Sequence, residues 1–162
     1  MDNLLSKLTN EELKMIKIVS LLKEQILFFE GDACECIGIV LEGEIEIISY
    51  SYGGKEIIFN HLYPDMVFGN NLIFSSQPVY KGSIIAKKSS KVALIYRNSL
   101  ISLLKNNNDF LLNYLQYQSD IGKDLNGKIK LLSLDNAEER FFYYIHSQNG
   151  GRPVLRFRCS HQ

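Results

Sequence analysis

Met66–Ala86, MVFGNNLIFSSQPVYKGSIIA, is the stretch whose residue types and spacing best suit binding chemistry. A strand ending in Phe68-Gly69 leads into a short helical turn opened by Asn70 and Asn71, and the basic Lys81 then enters the next strand. In such a cradle, backbone N–H groups at the start of the turn face an anion and a nearby cation helps to neutralise it. Cys34 and Cys36 invite a redox or metal reading, but two thiolates do not complete a tetrahedral site, and Cys159 is distant in sequence. Two residues apart on a strand they share a face at roughly 7 Å, the edge of disulfide reach, so they read as small buried residues at a strand start. His61, His146 and His161 are scattered, and His61 stands alone on its strand, so no metal site is expected. No nucleophile stands at a recognisable spacing from an activating base, so no catalytic residue is assigned and an enzyme is not expected. The alternation Glu42, Glu44, Glu46 reads as the solvated face of an antiparallel sheet.

Composition sets the frame in which those residues are held. A chain of 162 residues suits one domain, or one plus an appendage. With 46% hydrophobic and 22% charged residues it can build a core. No apolar run approaches the roughly 20 residues of a membrane span. The start, MDNLLSKLTNEELK, does not have the form of a secretory signal. Three cysteines make no disulfide framework, which favours a reducing compartment, and the cytoplasm is the expected location. The 18 basic and 18 acidic side chains cancel, whereas a module that grips nucleic acid by itself carries a basic excess. Any DNA contact is therefore expected from a part other than this body.

The elements are organised around Leu41–Leu62, LEGEIEIISYSYGGKEIIFNHL. Ile45, Ile47 and, after a break, Tyr50 alternate with polar residues as in a half-buried strand. Gly53-Gly54 supplies a tight hairpin, and the return strand through Ile57–Leu62 is apolar on much of both faces. Gly43 reads as a bend between consecutive strands. Upstream, Thr9 and Glu12 form a capping box that opens a helix carrying Leu13, Ile16 and Ile18 and ending before Lys23. Gln25–Phe29 is a short strand, and Cys36–Leu41 is apolar throughout, as a strand buried on both faces would be. Val79–Ala86 and Lys91–Tyr96 are the last strands, giving an antiparallel sandwich or roll. Asn98 or Ser99 then caps a short helix, Leu100–Lys105, and Asp109 caps a long one. In the long helix Leu111, Leu115, Gln118, Gly122, Leu125, Ile129 and Leu132 follow a 4-3-4-3-4-3 spacing, the seam of a two-stranded coiled coil. Phe110, Tyr114, Ile121 and Leu131 widen that stripe on one side. Asp135 with Glu138 makes a second capping box before a helix whose run Phe141-Phe142-Tyr143-Tyr144 reads as core.

The turn Glu30-Gly31-Asp32, the bend Leu41-Glu42-Gly43-Glu44, Gly53-Gly54-Lys55-Glu56, Asp65 through Gly69, and the strand Val92-Ala93-Leu94-Ile95 occur in an order that makes the chain resemble a known family. From about Leu8 to Ile145 it is similar to the Crp/Fnr bacterial transcription regulators, in particular their cyclic-nucleotide-binding-like sensor domain. The resemblance implies a mainly β fold with flanking helices: an antiparallel β-roll (jelly roll, cyclic-nucleotide-binding-domain-like) followed by a long dimerisation helix. Residues 1–106 would hold the N-terminal helix, roll and short helix, 107–134 the dimerisation helix, and 135–162 the start of a truncated DNA-binding domain and a tail.

The resemblance also implies an effector site at Phe68, Gly69, Asn70, Asn71, Tyr80, Lys81 and Asp124, with no cofactor. Members that bind cyclic AMP follow Phe-Gly with a Glu for the ribose and later an Arg for the cyclic phosphate. Here Asn70 stands at the Glu position and Tyr80 at the Arg position, with Lys81 after it. A Lys cannot reproduce the bidentate fork of Arg. The expected effector is therefore a small molecule other than cyclic AMP. A roll packed with its own side chains that docks on a protein partner remains the alternative. The family's winged helix-turn-helix does not fit in residues 149–162, so DNA contact would come through a missing domain. The expected assembly is a homodimer through the long helix, with no membrane association.

Overall fold

In the computed structural model, residues 4–148 are described, and they comprise a β-roll followed by helices. After a 3-10 turn at Leu4–Lys7 comes α1 (Asn10–Leu13), then eight strands: β1 (Lys17–Leu21), β2 (Ile26–Phe28), β3 (Cys36–Glu42), β4 (Ile45–Tyr50), β5 (Glu56–Leu62), β6 (Val67–Phe68), β7 (Ser83–Ala86) and β8 (Ser90–Tyr96). Helices α2 (Arg97–Asn106), α3 (Asn108–Leu132) and α4 (Ala137–Gln148) follow. The strands form two four-stranded sheets, ordered β1-β8-β3-β6 and β2-β7-β4-β5, with every pairing antiparallel. The mainly β roll with flanking helices is thus the observed architecture.

β3 lies between β8 and β6, and its residues 36–40 are all buried, as the unbroken apolar run requires. Gly38 there faces the Phe68 ring so closely that an added Cβ would fall 1.9 Å from it. Ile37, Ile39, Ile45, Ile84 and Ile95 fill the core between the sheets, and Leu100, Leu103 and Phe110 close it from the helices. The chain divides into two compact units, residues 1–118 and 119–162. The first turns of α3 belong to the roll.

Several elements differ from the sequence-based expectation. The capping box at Thr9 forms, with Glu12 accepting from the Thr9 N–H at 2.8 Å, but the helix stops at Leu13. Lys17–Leu21 pairs instead with β8, from Lys17 opposite Leu94 to Leu21 opposite Ser90. Ile18 and Val19 are β-branched, and a free sheet edge was available to them. Tyr50 is exposed, and β5 is exposed along all but Leu62, because β5 is the edge of its sheet. β7 starts at Ser83, not Val79, which makes only an isolated bridge with Ala33.

The N-cap of α3 is Asn107, whose Oδ1 accepts from the Phe110 N–H at 2.9 Å. Its amide also donates to Glu12 and to the Lys7 carbonyl, tying the N-terminal segment down. α4 is capped by Asn136, which accepts from the Glu139 N–H at 2.8 Å, one residue beyond the expected Asp135. In α4 Phe141, Phe142 and Tyr144 are exposed, not core.

Candidate functional site

The turn after β6 is built on Gly69, whose φ of +76° suits glycine. A Cβ there would sit 2.8 Å from the Cys36 carbonyl oxygen and 3.2 Å from the Cys34 sulfur, so the close approach of the turn to β3 also demands glycine. The N–H groups of Leu72 and Ile73 both donate to the Gly69 carbonyl, at 3.0 and 2.9 Å, folding the next residues into a helical turn. Arg97 braces that turn from outside, donating to the Ile73 carbonyl at 2.9 Å with its guanidinium over the Phe74 ring.

Asn70, only 5% exposed, faces α3. Its amide donates to Gln118 Oε1, and its carbonyl accepts from Gln118 Nε2 at 3.0 Å and from the Tyr114 hydroxyl at 3.3 Å. One helix turn apart, Tyr114 and Gln118 present one face to the cradle. Tyr117 adds a third contact, its hydroxyl oxygen accepting from the Val67 N–H at 3.0 Å.

Tyr80 is 3% exposed and lies inside the roll. Its backbone is pinned to the Gly31-Asp32 turn by two hydrogen bonds of 2.9 Å. Its ring stacks on Phe28 at 4.8 Å between centroids, and its hydroxyl donates to the Cys36 carbonyl at 3.1 Å and lies 3.8 Å from the Cys36 sulfur. Burial pushes the Tyr80 phenol far up from its ordinary pKa and the Cys36 thiol up to about 11, while Tyr114 is pushed up to about 12 by burial. Cys34, also raised by burial, sets its sulfur 3.6 Å from the carbonyls of Cys36 and Gly69. Both thiols are free and buried.

Of the residues expected to bind an effector, Phe68, Gly69, Asn70 and Tyr80 therefore come together and are buried, whereas Asn71 and Lys81 are exposed. Asp124 is exposed in the second unit. The walls that sequence reasoning did not assign to the site are Phe28, Tyr114, Tyr117 and the two cysteines. Of these, the two cysteines were expected to be buried at a strand start, and the i, i+4 spacing of Tyr114 and Gln118 is the other trace in the sequence. Among the residues of the expected seam, Gln118 turns its amide to Asn70, Leu111 is half-buried, and Leu115, Leu125, Ile129 and Leu132 are exposed. Gly122 has intermediate exposure, with open space around its missing Cβ.

A second cluster lies on the other sheet. His61 is not alone: Glu46 stands opposite it on β4, with Glu46 Oε1 3.2 Å and Glu44 Oε1 3.8 Å from His61 Nδ1. Nor is the Glu42–Glu44–Glu46 face uniformly solvated, since Glu46 is only 5% exposed and Lys87 Nζ lies 3.0 Å from it. Strand β7 covers the far side of β4, and the lysines of the turn that follows fold back over the carboxylates.

Residues 18–107, more than half of the chain, match the cyclic nucleotide-binding domain family. Among curated protein sequences no significant match is found. The fold is similar to a transcriptional regulator from Thermotoga maritima, with a TM-score of 0.69 and 25% identity over 76% of this chain and 95% of that one. It is also similar to the catabolite activator protein of Thermus thermophilus, with a TM-score of 0.67 and 18% identity over 82% of this chain and 63% of that longer protein. The sensor domain of the transcriptional regulator DNR from Pseudomonas aeruginosa gives a TM-score of 0.64 and 17% identity over 83% of this chain and 89% of that domain. Among the described residues no helix is long and apolar enough to cross a membrane. The chain belongs to the cyclic nucleotide-binding domain family, and solved structures of similar fold include transcriptional regulators.

Proposed function

We propose that this chain is the effector-sensing and dimerisation part of a Crp/Fnr-like transcription regulator that responds to something other than cyclic AMP. The observation that carries this reading is the occupation of the cradle by Tyr80. A phosphate entering there would meet a buried aromatic ring and no buried cation, and an unpaired anion in such a setting is costly. Asn70, at the position where a ribose contact is expected, is already engaged by Gln118.

An effector that opens the Tyr80–Phe28 stack would disturb the Gly69–Asn70 turn and, through it, the grip of Asn70 on α3. Both arrangements of that latch are then biased by differential binding, which is the basis of allosteric coupling. The helix would pair with its twin through Leu125, Ile129 and Leu132 and orient DNA-binding domains carried outside residues 1–148. A regulator of this kind, with free thiols at Cys34 and Cys36, works in the cytoplasm.

The test combines calorimetric titration with cyclic AMP and sedimentation of the 162-residue chain. The expected outcome is a dimer at tens of micromolar that gives no heat with the nucleotide. Tight nucleotide binding would overturn the ligand reading, and a monomer would overturn the dimerisation reading.

A second reading is a roll that docks on a protein partner without a small molecule. The exposed apolar side chains Ile57, Ile58 and Phe59 on the edge strand β5 favour it. A metabolite panel that leaves the thermal midpoint unmoved, with a pulled-down partner lost in Phe59→Lys, would select this reading over the first.

A further inference from the structure

We propose that Glu44, Glu46 and His61 form a binding site for a divalent transition ion of the Zn2+ type, on the face of β4 and β5. Nothing in the roll's own effector site requires these residues. Their ligand atoms (one carboxylate oxygen each and an imidazole nitrogen) all lie within 4.8 Å of one another. In a tetrahedral site with bonds of 2.0–2.1 Å, neighbouring ligand atoms stand about 3.3 Å apart. Glu46 Oε1 and His61 Nδ1 are already at 3.2 Å, and Glu44 Oε1 is at 3.8 Å from the same nitrogen.

The two oxygens of each carboxylate have separate tasks. Glu46 turns Oε1 to His61 while its Oε2 is held 3.0 Å from Lys87 Nζ. Glu44 likewise turns Oε1 to His61 while its Oε2 lies 2.8 Å from Lys88 Nζ. An ion can therefore bind at the Oε1 atoms and Nδ1 without displacing either lysine, and the lysines fix the carboxylates as outer-shell partners do in metal sites.

The backbone beneath is equally constrained. The Glu44 N–H donates to Ser90 Oγ at 3.1 Å, its carbonyl accepts from the Lys87 N–H at 2.8 Å, and Glu46 pairs in register with both His61 and Ile85. The mixed nitrogen and carboxylate donor set suits Zn2+ better than Mg2+ or Ca2+, which take oxygen. Half-exposed His61 leaves one side open, so water completes the coordination. A bound ion would bolt the edge strand β5 to β4 and, through the lysines, to the connection between β7 and β8.

The test is titration of the whole chain with Zn2+ against a chromophoric chelator, at neutral pH. The expected result is one equivalent bound, with affinity lowered about tenfold or more in His61→Gln and in Glu44→Gln. His61 is about half-exposed, and Glu44→Gln keeps the size and shape of the largely covered Glu44 side chain, so folding is expected to be retained and is checked by circular dichroism. A combined His146→Gln, His161→Gln, Cys159→Ser variant should bind as the parent does. Co2+ should give a four- or five-coordinate spectrum without a thiolate charge-transfer band. Failure to compete with the chelator overturns the proposal, as would binding that survives His61→Gln or a thiolate band with Co2+. The plain alternative, a metal-free ion-pair network, predicts the first of those results. Neither outcome bears on the Tyr80 pocket, which shares no residue with this site.

Discussion

Tyr80 is buried inside the roll beside the Gly69 turn. Its ring is packed on Phe28 and its hydroxyl is satisfied by the Cys36 carbonyl, so two substitutions separate packing from hydrogen bonding. Tyr80→Phe should cost about 0.5–1.5 kcal/mol in urea unfolding, the net value of one hydrogen bond. Tyr80→Ala should cost about 3–5 kcal/mol, because it also leaves a cavity. A Tyr80→Ala loss no larger than that of Tyr80→Phe would mean that the ring is not packed in the roll. The Glu44–Lys88 contact predicts a pH dependence with a definite sign. The hydrogen bond from Lys88 holds the Glu44 carboxyl below its ordinary value of 4.5, so its stabilisation is present above pH 4.5 and is lost as the pH falls through the lowered value. Lys87 and Lys88, raised from 10.5 by Glu46 and Glu44, contribute at lower pH and lose that contribution as the pH rises through their raised values. Thermal midpoints of the parent and Glu44→Gln should therefore converge in acid, and a constant gap down to pH 2 would contradict the ion pair (about two units below the ordinary carboxylate range).

At the scale of elements, the roll depends on close approaches, those at Gly38 and Gly69 among them, that the sequence announces only as glycines. Gly38→Ala would drive a methyl into the Phe68 ring and should destabilise by about 1–3 kcal/mol, measured as a lower urea midpoint with unchanged m value. The latch between the cradle and α3 is the other element-level feature. Asn70→Ala and Gln118→Ala, combined in a double-mutant cycle, should show a coupling of about 0.5–3 kcal/mol, and additivity would remove the latch from any signalling role. Much of this scale was legible beforehand. The apolar run of β3, the Gly53-Gly54 hairpin and the Phe68-Gly69 turn follow from periodicity and glycine placement. The fate of Lys17–Leu21 did not follow, because a continuation of the helix and a strand both tolerate those residues. Only the vacant edge beside β8 selected the strand.

For the whole molecule, the question is what covers the exposed leucine and isoleucine side chains of α3. Leu125, Ile129 and Leu132 are each more than half exposed. If they meet a twin helix, Leu125→Lys with Ile129→Lys should convert a dimer to a monomer in sedimentation while leaving the roll's circular dichroism intact. A dimer that persists in the double variant would move the interface elsewhere. The likeness in fold to the catabolite activator protein extends over 63% of that protein.

By itself the sequence determined the alternation of strands and turns and the long helix after them, since these depend on local periodicity and residue chemistry. The tertiary structure alone decided that Tyr80 points inward onto Phe28, that Gln118 clasps Asn70 instead of standing only in a seam, and that Glu46 meets His61 and Lys87. Each of those contacts joins residues far apart along the chain, and side-chain direction across a sheet or from a sheet to a helix is set by register and packing, which no short window of sequence encodes.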